Sequence, residues 1–192
     1  MSVTKSPNAV VYRVQNNGEW ATIVLEQWSQ KPESDIRPYR YMGELLIYSS
    51  FGRFGYQWTA CGQPFMEFLL GLDRDYFMGK MYAGNTTVFD FDDSIASMKE
   101  KVRSVRKEQG ITHEEARALY EAVESVDYAD SDTDFVESCV MADVRGYAGH
   151  KCNFDEPWEF VRRKINPQCE GFWREIWPEF CNQLRIDVVP VG

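Results

Sequence analysis

VVYRVQNNGEWATIVLEQW, residues 10–28, reads as two β-rich runs joined by a tight turn. Val10, Val11, Tyr12 and Val14 form one run and Trp20 to Trp28 the other. Between them, Asn16-Asn17-Gly18 supplies the Asn-Gly step whose positive-φ conformers close a two-residue hairpin. Working outward, Gln30–Arg40 carries Pro32 and Pro38 and reads as a loop. Glu44–Ser50 is a third strand, and Phe51-Gly52 a turn. In the fourth strand Phe54, Tyr56 and Trp58 alternate with Gly55, Gln57 and Thr59, the period of two that marks a half-buried strand. Four consecutive strands with short connections predict an antiparallel meander.

After Gly62 the period becomes helical. Phe65, Phe68, Leu69 and Leu72 share one face, Asp73–Met81 is a further helical turn, and Thr86–Phe89 a short strand. Asp93 is the expected cap of a helix burying Ile95, Met98, Val102 and Val105, ending near Gly110. Thr112 and Glu115 match a capping box opening a helix that buries Ala116, Leu119, Tyr120 and Val123. A third helix is expected at 134–145, burying Val136, Cys139, Val140 and Val144. Pro157 suits the first position of a helix carrying Trp158, Val161 and Ile165. The last stripe is Phe172, Ile176, Trp177, Phe180 and Leu184, with a kink or restart expected at Pro178 and an edge strand or frayed tail at 188–191. The fold class is therefore α+β, an N-terminal antiparallel sheet of about four strands packed against a C-terminal group of helices. The expected organisation is a single domain over 1–192, mainly sheet over 1–90 and a mainly helical lobe over 91–192. The Phe54/Tyr56/Trp58 face is expected to meet the stripe that starts at Phe172.

A chain of 192 residues with 15% aromatics can build its core without disulfide or metal support. No apolar run approaches the roughly 20 residues of a membrane-spanning helix, and MSVTKSPNAVVY has no basic-then-apolar leader pattern, so a cytoplasmic location in a host cell is expected. Five widely spaced cysteines (Cys61, Cys139, Cys152, Cys169, Cys181) argue against a disulfide framework and read as small buried hydrophobes. Net charge is −9, which disfavours direct binding of nucleic acid. The charge is also unevenly placed. Glu121, Glu124, Asp127, Asp130, Asp132, Asp134, Glu137 and Asp143 fall within 23 residues that contain no Lys or Arg.

Motifs for catalysis are sparse. His113 sits just past a helix cap and reads as a surface residue; His150, beside Cys152, has no CxxC or HxxxH spacing around it to build zinc coordination. A Cys–His nucleophile pair would have to be assembled in space. Asp90, Asp92 and Asp93 look like a metal cluster but are equally explained by helix capping, and Asp73 and Asp75 by the end of one helix and the start of the next. Gly52-Arg53-Phe54-Gly55 precedes a strand, whereas a phosphate cradle precedes a helix. Phe54, Tyr56 and Trp58 could stack bases, but without a basic frame they read as core. Lys99, Lys101, Arg103, Arg106 and Lys107, and Arg162-Arg163-Lys164, read as solvated helix faces. No cofactor, metal or catalytic residue is assigned.

The stretch from Leu45 to Met81, LLIYSSFGRFGYQWTACGQPFMEFLLGLDRDYFMGKM, resembles a family of small accessory proteins of tailed phages and prophages of Gram-negative bacteria. The matching features are Ser49-Ser50, Gly52, Trp58, Gly62, Phe65, Phe68-Leu69, and Asp75-Tyr76 with Lys80. Weaker similarity runs through Glu114–Arg117 and Phe172–Leu184. The resemblance implies a phage accessory protein. Such proteins include inhibitors of host defence, anti-CRISPR proteins among them, some acting as acidic DNA mimics. Three readings follow from it and from the residues. The first is a non-enzymatic inhibitor of a host defence complex such as CRISPR–Cas, which binds a host protein or nucleoprotein complex with a basic surface and acts by steric occlusion or by nucleic-acid mimicry through the eight acidic residues above. The second is an accessory or scaffold protein with another partner. The third is an enzyme with a spatially assembled Cys/His site. The first is favoured, and for the acidic run itself the alternative is a solvated face and loop.

Overall fold

The computed structural model describes residue 3, residues 5–31 and residues 39–188. It places four strands in the order expected: β1 (Val10–Asn16), β2 (Glu19–Gln30), β3 (Arg40–Ser49) and β4 (Gly52–Trp58) form one antiparallel sheet, each paired with the next. The first turn has Asn17 at φ 51° and Gly18 at φ 85°, the left-handed pair that matches the twist of flanking strands. The proline-bearing part of the loop, residues 32–38, lies outside the described residues, as do 189–191 of the expected tail. The chain then forms α1 (Phe65–Leu70), α2 (Arg74–Met81), β5 (Thr87–Phe89), α3 (Phe91–Lys107), α4 (His113–Glu124), α5 (Asp132–Met141) and α6 (Tyr147–Lys151). A 3-10 turn (Pro157–Phe160), β6 (Arg163–Ile165), α7 (Pro167–Gly171), a π turn (Phe172–Ile176) and α8 (Trp177–Val188) follow. The α+β class stands. Helices dominate after residue 90.

The chain folds into two compact units, Met1–Thr86 with Ile165–Gly192, and Thr87–Lys164. The first unit is built on the sheet. Its inward positions Ala21, Ile23, Leu25, Leu45, Ile47 and Trp58 are buried, and they are covered by Phe65, Leu69, Phe77, Phe172, Ile176, Phe180 and Leu184. Phe54 meets Phe172 edge-on at 4.9 Å between centroids, and Tyr12 meets Phe180 at 5.1 Å. The aromatic strand thus faces the final helix, as the sequence predicts. Full burial of a side chain of this size contributes about 1.5–3 kcal/mol. Polar ties fix the docking angle: Asn16 Nδ2 donates to the Glu175 carbonyl at 2.9 Å, and Tyr12 donates to Asp187 Oδ2 at 2.8 Å. Phe172, Ile176, Phe180 and Leu184 recur every four residues, slower than an α-helix turns. The π turn, with Trp177 N–H on the Phe172 carbonyl, absorbs that difference and keeps all four buried. It is also the form taken by the irregularity expected at Pro178, which has no N–H to offer the helix.

The second unit has its own core of Met98, Val102, Val105, Ile111, Leu119, Val123, Phe135, Cys139, Val144, Phe154 and Phe160. The capping box of α4 is present as predicted: Thr112 Oγ1 accepts from Glu115 N–H at 3.1 Å, and Glu115 Oε2 accepts from Thr112 N–H at 2.6 Å. Three local expectations change. The cap of α3 is Asp90, whose carboxylate accepts from Asp93 N–H at 3.3 Å, because Phe91 already joins the helix and reaches Phe135. The third helix is α5, shifted toward its N-terminus. Phe135 and Cys139, four apart, take the core positions, which turns Val140 outward. Finally, Pro157 opens a 3-10 turn. With three residues per turn, Pro157 and Phe160 point to the core together while Trp158 is turned out, and Val161 starts an extended segment leading to β6. Ile165 is therefore a strand residue, not part of a helical stripe.

Candidate functional site

Unit 2 holds eighteen of the thirty acidic residues but only eleven of the twenty-one basic ones, so it carries most of the net charge. The eight carboxylates of 121–143 run from the last turns of α4, through the connection, over α5 and just past it. They are not equivalent. Glu121 and Glu124 sit at the C-terminal end of α4, where the helix dipole disfavours negative charge, and each has a cation. Arg117 Nε is 2.9 Å from Glu121 Oε1, one helical turn back, and Lys99 Nζ of α3 is 3.0 Å from Glu124 Oε1. Asp132 Oδ2 meets Arg163 Nη2 at 2.9 Å. Its Oδ1 is buried without a hydrogen-bond partner among the described residues. The cations missing from the segment's own sequence therefore come from elsewhere in the unit, for three of the eight.

Asp127, Asp130, Asp134, Glu137 and Asp143 are exposed and make no ion pair among the described residues. Asp134 lies in the first turn of α5, where its charge suits the helix dipole. Asp143 adopts φ 50°, a conformation that Asp tolerates better than most residues. Tyr128 is 73% exposed and its phenol donates to Asp130, which raises the phenol's pKa. On α5, Thr133, Asp134, Glu137, Val140 and Met141 recur at intervals of about one turn, so the solvent face mixes two carboxylates with two apolar side chains. Met141 is 85% exposed. Sequence reasoning missed this face because it assigned Val140 to the core.

The thiols and imidazoles are not brought into a reactive arrangement. His113 is exposed, and exposed His150 places Nδ1 against Asp155. Cys139, Cys152, Cys169 and Cys181 are buried, and Cys61 is half-buried. Burial pushes the Cys139, Cys169 and Cys181 thiols up to about 11 and raises those of Cys61 and Cys152, so the nucleophilic thiolate is disfavoured at neutral pH. No group of three metal-ligating side chains occurs among the described residues. Asp73 and Asp90 are helix caps, their carboxylates engaged by the N–H groups of Tyr76 and Asp93. Trp58 is buried in the core, and the half-buried Phe54 and Tyr56 pack against it, Phe54 on Phe172 and Tyr56 on Trp58. Also among the described residues, no helix is long and apolar enough to cross a membrane.

A family model described as a phage family, Phage_phiTE_072, matches residues 1–185. The chain belongs to that family. The match reaches into both compact units of this phage protein and includes the acidic segment and most of α8. The resemblance read from Leu45–Met81 thus holds at the level of a phage family. No curated protein and no solved structure matches the chain.

Proposed function

We propose that this phage protein is a binding protein that occludes a basic surface on a host protein or nucleoprotein complex, with a defence complex such as CRISPR–Cas as the target class and acidic mimicry of nucleic acid as the means. The observation that carries the reading is the unequal treatment of the acidic run. Three carboxylates are matched by Arg117, Lys99 and Arg163, while five stay exposed and make no ion pair among the described residues, two of them beside Val140 and Met141 on the outer face of α5. A merely solvated face gains nothing from the exposure of Met141, or from the exposed part of the Tyr128 ring that its contact with Phe91 leaves open. A docking face gains from both, because apolar contact supplies affinity and carboxylates supply steering toward Lys and Arg. Membership of a phage family is consistent with an accessory role of this kind.

The test uses the full chain with purified CRISPR–Cas effector complexes, measuring association kinetics against salt and against competing duplex DNA. Asp127→Lys, Asp130→Lys and Glu137→Lys together reverse charge without touching a cap, a salt bridge or the positive-φ Asp143. Association is expected to slow at least about tenfold at low salt, and the wild-type rate to fall as the Debye length shrinks below about 8 Å. Glu121→Gln with Glu124→Gln is expected to change little, since those charges are already neutralised. Equal binding by wild type and the triple variant at low salt, or binding that duplex DNA cannot displace, would overturn the mimicry reading.

A further inference from the structure

The inward face of the four-stranded sheet is covered, but its outward face is not wholly polar, and the strand registers arrange its central side chains in three rows. The middle row is Val11, Val24, Leu46 and Gly55. On one side, two residues along each strand, lies Arg13, Thr22, Tyr48 and Arg53. On the other lies Glu26, Glu44 and Gln57. Val11 and Leu46 are 56% and 50% exposed, and Trp20 and Tyr48, which meet edge-on at 5.0 Å, extend the apolar surface. Arg53 lies over the Tyr48 ring at 4.6 Å. None of Arg13, Arg53, Glu26 and Glu44 makes an ion pair among the described residues. Glu26, which accepts a hydrogen bond from the Ser6 hydroxyl, and Glu44 stand directly opposite each other across neighbouring strands, a like-charge pairing that destabilises a sheet and that a nearby cation would relieve.

Successive rows are about 7 Å apart, two residues along a strand. A two-fold axis laid along the middle row, in the plane of the face, would set Leu46 on Leu46 and Val24 on Val24 of a second chain. The same rotation brings each arginine row onto the glutamate row of the other copy, with Arg13 one strand from Glu26 and Arg53 one strand from Glu44. Each strand lies along its own copy with its direction reversed, so the strand axes stay aligned as they do in stacked β-sheets. From this pattern of charge we infer that the occupant of the outer sheet face is a second copy of this chain, in an isologous face-to-face dimer. Self-complementarity of an apolar stripe flanked by opposite charges is what a two-fold interface requires. Gly55 contributes by leaving room for Leu46: a Cβ at residue 55 would stand 2.7 Å from Leu46 Cδ2.

Sedimentation velocity on the full chain, across a concentration series, tests this. The wild type is expected to dimerise with a dissociation constant on the order of micromolar, more weakly at high salt. Leu46→Asp, which buries two carboxylates at the axis, is expected to weaken the dimer at least about 100-fold while thermal melting stays close to wild type. Two charge variants keep the test independent of that substitution. Arg13→Glu with Arg53→Glu makes the face acidic throughout, and Glu26→Arg with Glu44→Arg makes it basic. Each is expected to be monomeric alone, and an equimolar mixture to form a 1:1 heterodimer. A wild type that stays monomeric at the highest concentration overturns the inference and leaves the face to a different macromolecule. So do charge variants that each dimerise like wild type, or a mixture that does not associate.

Discussion

Two glycine-to-alanine substitutions in the first unit should move stability in opposite directions. Gly43 lies on the inward face of β3, opposite Trp58 in register. A Cβ placed there would stand 2.1, 2.3 and 2.4 Å from three ring atoms of Phe65, a side chain only 1% exposed and 5.6 Å between ring centroids from Trp58. Those atoms cannot stay where they are. Because the ring is walled in, relief means moving α1 or rotating Phe65 off its rotamer, and overpacking of this kind costs about 1–3 kcal/mol. Alanine also restricts the unfolded chain, which returns about 0.4–1 kcal/mol, so Gly43→Ala should lose about 1–2 kcal/mol. Gly79, inside α2, has nothing within 4 Å of its would-be Cβ. There the helical gain is unopposed, and Gly79→Ala should add about 0.5–1 kcal/mol. Urea unfolding followed by tryptophan emission suits the comparison, since five of the six tryptophans (Trp20, Trp28, Trp58, Trp173, Trp177) belong to this unit. With an m-value of about 1–3 kcal/mol/M, the midpoint should fall by roughly 0.5–1 M for Gly43→Ala and rise by a few tenths for Gly79→Ala. A Gly43→Ala midpoint at or above wild type would refute the close approach of β3 and α1.

In the second unit, Thr112→Ala removes one arm of the capping box and should cost about 1 kcal/mol by thermal melting followed by far-UV circular dichroism. Asp132→Ala should cost about 1 kcal/mol, because it leaves Arg163 without its partner in a half-exposed pair, whereas exposed Asp130→Ala should stay within about 0.5 kcal/mol of wild type in the same assay. Thiol titration of the native protein at neutral pH should label Cys61 first, with Cys139, Cys152, Cys169 and Cys181 protected until denaturant is added; fast labelling of any of these four contradicts the burial described. For Cys139, Cys169 and Cys181 the folded pKa is raised from 9.0 to about 11 by burial. In that window the unfolded chain has released protons that the folded chain still holds, so this contribution to stability is complete below pH 9.0 and is lost as pH rises toward about 11. Urea midpoints measured across that range should therefore decline, and decline less in a variant with these three cysteines replaced by alanine.

The local signals that sequence carries are the ones that tertiary contacts did not overrule. Asn17-Gly18 has to turn because only positive φ closes a two-residue hairpin, Thr112 and Glu115 satisfy each other within one helical turn, and the alternation of Phe54, Tyr56 and Trp58 fixes which face of β4 is buried. The stripe from Phe172 to Leu184 needed an apolar partner, and the sheet was the surface of matching size. Where several hydrophobic residues compete for one core, sequence gives no ranking. Phe135 displaced Val140 because the larger ring fills more of the space between helices, and the 3-10 turn at Pro157 turned Trp158 outward by changing the period from 3.6 to three. The acidic run was legible as a composition, yet its division into matched and unmatched carboxylates was not. Lys99 and Arg163 reach Glu124 and Asp132 from 25 and 31 residues away, a pairing made by helix and strand packing rather than by spacing. The outer sheet face was hidden for the same reason. Arg13, Leu46 and Glu26 lie on different strands, and only their register makes them parts of one surface.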